Sequence, residues 1–488
     1  MRMLFKSSEY LIILTILTIP VYTVLPTPQA EYVYYGVIPE RTYQYVPVEE
    51  TDLSKGWMLL LNSITDHGYI SILALQDNTY VRVYTLPSKE LVSEATLNRM
   101  QKNYVRLPNG TMFKIISNNL VSVTIISPPP RGGIPGVNAT ESPGVLGFYT
   151  SVEGAYVGRE FMIEASQGLV GFGYMIFALE DAKVTLTDEK GETQSYDLKA
   201  NSFKELMLKP LTAYRIVSTG NIMIQAGTPT LWGSRSFFIP SAEGGFIGRR
   251  FYTRTSQTFD IKEENFFIIS AVSEDSKVTI WDLSSRKVVS VLNVRVGEPV
   301  SAKLTAVEYT PGVAAIMFDS DNPIVVQYLH SGNIRRSYGL ANWGVGFTYM
   351  SIRPGEDTPF MLPTNSTIYT YLFVSEEASI LIDDIPITVR PDEPFIINTP
   401  GPHVIRSNKN LVLLLLHYPL TPPNQGINGF GVPVPCVQTV SVTPSVTLYP
   451  ISREGFTISP VNYVIIIIIV VLAVAVAGIL LLRKRKKK

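Results

Sequence analysis

The chain has 488 residues and equal numbers of basic and acidic side chains, 41 of each, so its formal net charge is zero. Hydrophobic residues make up 46% and charged residues 17%, which excludes an intrinsically disordered chain and leaves ample material for buried cores. Cys436 is the single cysteine, which excludes an intrachain disulfide and any CxxC metal or redox pair.

The N-terminus reads as an export signal. Arg2 and Lys6 form a positive n-region, Leu11 to Ile19 an apolar h-region, and Pro28-Gln29-Ala30 offers a small residue for cleavage before Glu31. Residues 1–30 are therefore expected to be a removed signal peptide. Setting aside Arg2, Lys6, Glu9 and the six terminal cations leaves 33 basic against 40 acidic residues. A mildly acidic exported region suits an extracellular surface and offers no basic face, so a nucleic-acid partner is not expected.

The exported region repeats itself. Glu153-Gly-Ala-Tyr-Val-Gly-Arg-Glu-Phe161 recurs as Glu243-Gly-Gly-Phe-Ile-Gly-Arg-Arg-Phe251. Leu179 to Asp188 matches Ser273 to Asp282 and Ser375 to Asp384, and more distantly Leu75 to Tyr84. A second signature begins at Ser117, Ser218, Ser320 and Ser407, spaced 87 to 102 residues apart. Four copies are expected, over approximately 57–127, 145–228, 235–330 and 344–417, within an ectodomain of 31–418.

Each copy reads as β. Apolar runs such as Phe266 to Val272 meet an acidic turn, Ser273 to Ser276, and return as the alternating Lys-Val-Thr-Ile-Trp. About eight strands fit one copy, enough for one β-sandwich or two propeller blades. The Ser273 and Ser320 turns lie 47 residues apart, near one blade length, and Trp281-Asp282 resembles a WD-repeat dipeptide. An all-β, propeller-like ectodomain is the expectation, with tandem β-sandwiches as the alternative.

These signatures resemble the repeats in the N-terminal region of IgGFc-binding proteins and their prokaryotic relatives. The resemblance is carried by Ser273-Glu-Asp-Ser-Lys-Val-Thr-Ile280, Gly297-Glu298-Pro299 and Ser320-Asp-Asn-Pro-Ile-Val-Val-Gln327, and covers roughly residues 57–417. It implies a secreted or surface-attached adhesive β module without known catalysis. No residue here matches an immunoglobulin contact.

Candidate chemistry is sparse. Glu153, Arg159, Glu243 and Arg249 occupy the best-repeated motif and could form two equivalent binding positions. The stronger reading is structural, an arginine tying down a loop beside Gly158 or Gly248. His330 and His417 close equivalent strands, but no two histidines have HxH or HExxH spacing, so neither a metal nor another cofactor is expected. No GxSxG elbow or glycine-rich phosphate loop is present. Sequons at Asn109, Asn138 and Asn365 are glycosylation candidates.

Residues 419–460, rich in Pro, Gly, Ser and Thr, read as a stalk, with Val437 to Leu448 alternating enough to supply a closing strand. Tyr463 to Leu482 is an unbroken apolar run, 15 of its last 19 residues being Ile, Val or Leu. A helix of that length spans about 30 Å, a bilayer's hydrocarbon core. The basic tail 483–488 places the C-terminus in the cytoplasm and everything before the span outside the cell. The sequence thus predicts a single-pass surface protein with no recognisable catalytic motif. Its partners are expected to be membrane lipid and either envelope proteins or surface glycans. An extracellular glycan hydrolase or lyase on a propeller is the alternative.

Overall fold

The computed structural model describes residues 31–39, 42–43, 64–126, 148–149, 156–165, 172–209, 211–226, 237–239, 241, 247–254, 264–283, 285–305, 315–330, 346–362, 366–419, 432–433 and 437. They are all-β, 73% of them in strands. The expected signal peptide and membrane span lie outside the described residues, as does all of the stalk except Val432, Pro433 and Val437. No helix among the described residues is long and apolar enough to cross a membrane.

The strands fall into four sets. The first contains β1 (Tyr32–Val37), β2 (Thr42–Tyr43), β3 (Ile64–Thr65), β4 (His67–Ala74), β5 (Thr79–Leu86), β6 (Leu91–Leu97), β7 (Lys102–Pro108), β8 (Met112–Ser117) and β9 (Val121–Ile126). After β10 (Phe148–Tyr149), the second holds β11 (Val157–Glu164), β12 (Phe172–Ala178), β13 (Ala182–Asp188), β14 (Thr193–Leu198), β15 (Ser202–Leu208), β16 (Ala213–Ala226) and β17 (Phe237–Phe238). The third holds β18 (Gly248–Arg254), β19 (Glu264–Ala271), β20 (Ser276–Asp282), β21 (Lys287–Val294), β22 (Val300–Thr305) and β23 (Ala315–His330). The fourth holds β24 (Gly346–Ile352), β25 (Thr358–Leu362), β26 (Ser366–Val374), β27 (Ala378–Ile382), β28 (Ile385–Val389), β29 (Phe395–Ile396), β30 (Gly401–Ser407) and β31 (Leu411–Pro419); β32 (Val432–Pro433) comes last.

One strand order recurs in all four sets. The first has β1-β8-β5-β6 beside β32-β9-β4-β7, and the fourth has β25-β30-β27-β28 beside β24-β31-β26-β29. In the second set the long β16 serves both halves. Its N-terminal part pairs with β11 and β13, and its C-terminal part with β12 and β17. The long β23 does the same for β18, β20, β19 and β10. None of these orders is the sequential meander of a propeller blade.

In the second set a single apolar core lies between the two halves. Phe161, Val184 and Ile216 from one half join Tyr174, Ile224 and Leu208 from the other. Alternating strands such as Ala182–Asp188 turn Val184 and Leu186 inward and leave Lys183 exposed, as period two requires.

Three of the four sets borrow an edge strand from distant sequence or from a connection. β10 precedes the second set yet pairs with β23 of the third, and β32 pairs with β9 of the first through Val432↔Ile125 and Pro433↔Thr124. The stalk thus supplies an edge strand at β32, while the expected closing strand from Val437 to Leu448 lies outside the described residues except for Val437. Pro433, which has no N–H to donate, is tolerated because β32 is an edge. Val437 is buried, and its carbonyl accepts Asn410 Nδ2 of the fourth set at 3.3 Å.

Candidate functional site

Arg159 and Arg249 occupy the same structural position. The pairing of β11 with β16 shifts between Gly158 and Glu160, and that of β18 with β23 shifts between Gly248 and Arg250, so each arginine stands alone opposite the four residues, 218–221 or 320–323, where its long partner strand crosses between halves. Both side chains are exposed. Arg159 lies 3.5 Å from the Glu180 carboxylate, which also takes the Asn221 backbone N–H at 3.2 Å and Asn221 Nδ2 at 2.8 Å. The Arg249 carbonyl accepts Ser320 Oγ at 2.9 Å. Glu153 and Glu243 lie outside the described residues.

The four marker serines have a structural explanation. They stand where the chain passes from one half of a set to the other. Ser117, Ser218 and Ser320 each donate Oγ to the carbonyl two residues on, at 2.5, 2.6 and 2.7 Å, while Ser407 Oγ accepts the Lys409 N–H at 3.1 Å. The residue after each serine then clasps a neighbouring strand. Asn118, Thr219, Asp321 and Asn408 accept the backbone N–H of Tyr80, Lys183, Lys277 and Ser379 at 2.7, 2.9, 2.7 and 2.8 Å. These four bonds hold the crossover against the strand beside it.

The repeated acidic turn works at longer range than a local cap. Asp77, Asp181 and Asp275 accept the backbone N–H of Arg99, Ala200 and Val296 at 2.9, 2.9 and 3.0 Å, each in a turn some twenty residues on. The recurring turn aspartates and crossover side chains are thus fasteners of the fold.

Sequence reasoning missed the joints between sets. Residues Tyr35, Met162, Tyr252 and Pro359 stand opposite Lys114, Arg215, Met317 and Val404, each three positions before a marker serine. Each belongs to the first strand of its half-set. Leu73, Phe177, Ser270 and Phe373 are each the penultimate residue of β4, β12, β19 and β26. Leu73 packs with Met162, Phe177 meets Tyr252 at a centroid distance of 5.5 Å, and Phe373 stacks on Tyr35 at 5.1 Å and 8°. At the remaining joint β19 lies against β25, the strands that carry Ser270 and Pro359. The contacts therefore run first to second, second to third, third to fourth and fourth back to first. The circuit closes, as head-to-tail interfaces do when the rotation per unit permits.

Two of the joints are ionic. Between the first and second sets, Glu164 accepts Ser71 Oγ and Tyr104 Oη, with Lys102 Nζ at 3.6 Å. Lys102 also donates to the Leu211 carbonyl at 2.7 Å. Between the fourth and first sets, Asp392 pairs with Lys114 Nζ at 2.7 Å and accepts Tyr35 Oη at 3.3 Å. Burial first, and then the charge of Glu164 or Asp392, pushes the Tyr104 and Tyr35 hydroxyls far above the usual phenol range. Neither phenol ionises at neutral pH, so both remain donors to their carboxylates. Among the described residues no ion pair runs between sets at the other two joints, although the buried Arg250, paired with Asp319 within the third set, stands beside Tyr252. Gln225 Nε2 donates to Thr253 Oγ1 at 3.1 Å, Tyr252 Oη to Asn201 Oδ1 at 3.0 Å, and Gln327 reaches Met350. Burial pushes the Tyr252 hydroxyl up to about 12.

The borrowed edges converge at a hub. β10 lies beside β17 and β24, and β17 beside β32. Tyr156, Phe238 and Tyr349 are all buried; Tyr156 stands 6.0 Å from Phe238 and feels the Tyr349 hydroxyl electrostatically. Tyr349 belongs to the fourth set and Tyr156 leads into the second, so aromatic side chains meet across the circuit.

Of the histidines, His330 and His417 lie in β23 and β31; among the described residues no three His, Cys, Asp or Glu are placed to hold a metal ion. His403 is buried, with Nδ1 2.6 Å from Asp383 and Nε2 2.7 Å from the Thr399 carbonyl, and rests on Phe360. His67 pairs with Asp66 at 2.5 Å on the surface. Asn109 has both ends of its amide engaged: Oδ1 accepts Thr42 Oγ1 and Nδ2 donates to the Thr65 carbonyl, both at 2.7 Å. Asn138, Asn365 and Cys436 lie outside the described residues.

No protein-family model matches the chain, and no curated protein does. Among solved structures, a chain from the atomic structure of Sulfolobus Turreted Icosahedral Virus is 10% identical, with a TM-score of 0.12 over 77% of this chain and 97% of that one. A chain from a structure of the triple jelly roll fold and turret assembly in an archaeal virus is also 10% identical, with a TM-score of 0.12 over 78% and 96%. At these scores the likeness carries no argument about fold or function.

Proposed function

We propose that the chain is a single-pass, membrane-anchored surface protein whose β array binds or scaffolds other envelope components, without catalysis of its own. The four sets are four copies of one unit, each a sandwich of two half-sheets rather than a pair of blades. The shared non-sequential strand order and the one core between halves of the second set support that reading. IgGFc-binding-like surface modules remain the proposed kinship, resting on the sequence signatures.

The observation that carries the functional reading is the hub. A propeller-type glycan hydrolase or lyase would hold its polar residues in a central funnel; here buried Tyr156, Phe238 and Tyr349 occupy the place where the sets converge. The repeated polar side chains are used as fasteners, which supports a rigid platform. Tyr463 to Leu482 and the basic tail supply the anchor, so the partners are lipid through the helix and envelope proteins or surface glycans through the array. Retention of envelope components by the full-length protein in detergent, run beside a glycan-turnover assay, tests this. Stable retention without turnover is the expected result. Turnover that disappears on changing single acidic residues would overturn it. External protease on intact cells should digest the β array and leave the tail protected.

A further inference from the structure

Each set carries a tight turn in which one residue takes a left-handed backbone conformation. Those residues are Met100, Asn201, Gly297 and Asp392, with φ of 68°, 58°, 78° and 62°. The four turns are equivalent, because in each the next N–H returns to the carbonyl three residues back, from Gln101, Ser202, Glu298 and Glu393. Glycine takes a positive φ without penalty and asparagine or aspartate tolerates it, but methionine is strained there. The backbone alone therefore favours glycine at all four turns, and only Gly297 supplies it. The turns are also pinned beside the joints. The N–H groups of Met100 and Asn201 donate to the Ala74 and Ala178 carbonyls at 3.0 and 2.8 Å, and Val296 bridges Ala271. These partners directly follow Leu73, Phe177 and Ser270, the residues that receive the next set.

We propose that the left-handed residue and the penultimate strand residue together form a selective socket, which recognises the knob of the next set and fixes which set follows which. Leu73 with Met100 takes Met162, an apolar contact that includes Ala213. Phe177 with Asn201 takes Tyr252: ring meets ring, and Asn201 Oδ1 accepts the knob's hydroxyl at 3.0 Å. Phe373 with Asp392 takes Tyr35 in the same way, with the hydroxyl donating to Asp392 Oδ1 at 3.3 Å. Ser270 with Gly297 is the smallest socket, at the joint whose knob is Pro359, a side chain with no hydroxyl to satisfy. Charge tells the two tyrosine knobs apart. Lys114 stands opposite Tyr35 and pairs with Asp392 at 2.7 Å, whereas Met317 stands opposite Tyr252, where the acceptor is the uncharged Asn201. A tyrosine docked on Leu73 and Met100 would bury its hydroxyl without an acceptor from that socket. A methionine docked on Phe177 and Asn201 would withdraw the donor from Asn201 Oδ1. Each mismatch leaves a polar group desolvated, which disfavours wrong neighbours among four similar units. Register places the joint, and these side chains choose its partner. The inference concerns assembly of the array and does not rest on what the array binds.

Moving one socket to another joint tests the selection, in the full-length protein in detergent, read by chemical denaturation. Phe177→Leu/Asn201→Met gives the second set the socket of the first, and Tyr252→Met gives the third set the matching knob. Either change alone should lower the folding equilibrium constant at least about tenfold. The triple variant should recover at least half of the summed loss on a logarithmic scale. Losses that simply add would overturn the proposal. A gentler pair decides the matter if these variants do not fold. With Tyr252 in place, Asn201→Gly removes the acceptor and should lower the constant at least about fivefold. In the Tyr252→Phe background the same change relieves the backbone with no hydroxyl left to accept, and should be neutral or favourable. An equal loss in both backgrounds would mean that the turn residue serves only its own loop, and would overturn the selection.

Discussion

The joints that flank the first set and the joints on either side of the third use one geometry and two chemistries. At the former, Glu164 with Lys102 and Tyr104, and Asp392 with Lys114 and Tyr35, surround the contact with charge. Between the second and third sets, Tyr252 on Phe177 is backed by a neutral Gln225–Thr253 bond. What recurs is the register position of the knob and its socket, while the polar surround varies. An inter-unit interface is therefore specified by where the strand ends and how the sheet pairs. The ionic trim stabilises these joints less than its charges alone would, because desolvating two charges offsets much of their attraction.

The largest effect should come from emptying the aromatic joint between the second and third sets. Phe177→Ala removes a fully buried ring that touches Phe203 and Tyr252, and should cost about 3–5 kcal/mol in chemical denaturation. Glu164→Ala leaves Lys102 and Tyr104 facing an unfilled site and should cost about 3 kcal/mol, whereas Glu164→Gln, which keeps an acceptor oxygen, should cost less. If the two glutamate variants lose equal stability, the charge rather than the hydrogen bonding carries the ionic joint.

The clasps sharpen the comparison further. Asn408→Ala and Asn118→Ala each remove one acceptor from a strand N–H and should cost about 1–2 kcal/mol, by thermal melts. Acid should distinguish the sets. Burial raises the Asp321 carboxyl, but the Lys277 N–H and Ser276 hydroxyl outweigh it and hold it below the ordinary value of 3.8. A folded value below the unfolded one means the clasp's contribution is complete above that pH and is lost as the pH falls through the folded value. Below about pH 4, amides around Lys277 should lose protection before those around Tyr80 and Ser379, whose acceptors are asparagines. Asp321→Asn should abolish the difference. Smallest of all, Arg159→Ala, 56% exposed, should change stability by less than about 0.5 kcal/mol.

Much of the β architecture was legible because its fasteners are local in register. The serines at 117, 218, 320 and 407 recur because a crossover between half-sheets needs a short hydroxyl side chain to turn against its own backbone. The acidic turns recur because an aspartate must reach the next hairpin. The joints were not legible, since Tyr35 and Asp392 are 357 positions apart and no local pattern links them. Strand borrowing escaped for the same reason: two-residue strands such as β10 and β32 are made by the edge they meet, with too few residues to show a period of two. Sequon logic likewise reads only three residues, and so could not register that Thr42 and Thr65 hold the Asn109 amide. Glycopeptide mass spectrometry should find Asn109 unmodified in the folded protein.

The closing contact between the fourth and first sets is the claim on which the account turns, and a double-mutant cycle on Tyr35 and Phe373 tests it most directly. Stacked aromatic pairs contribute about 0.5–1.5 kcal/mol beyond their burial. The Tyr35→Ala and Phe373→Ala losses should therefore fall short of additivity by about 1 kcal/mol, despite the separation of the two residues in sequence. Additivity to within about 0.3 kcal/mol would contradict a closed circuit.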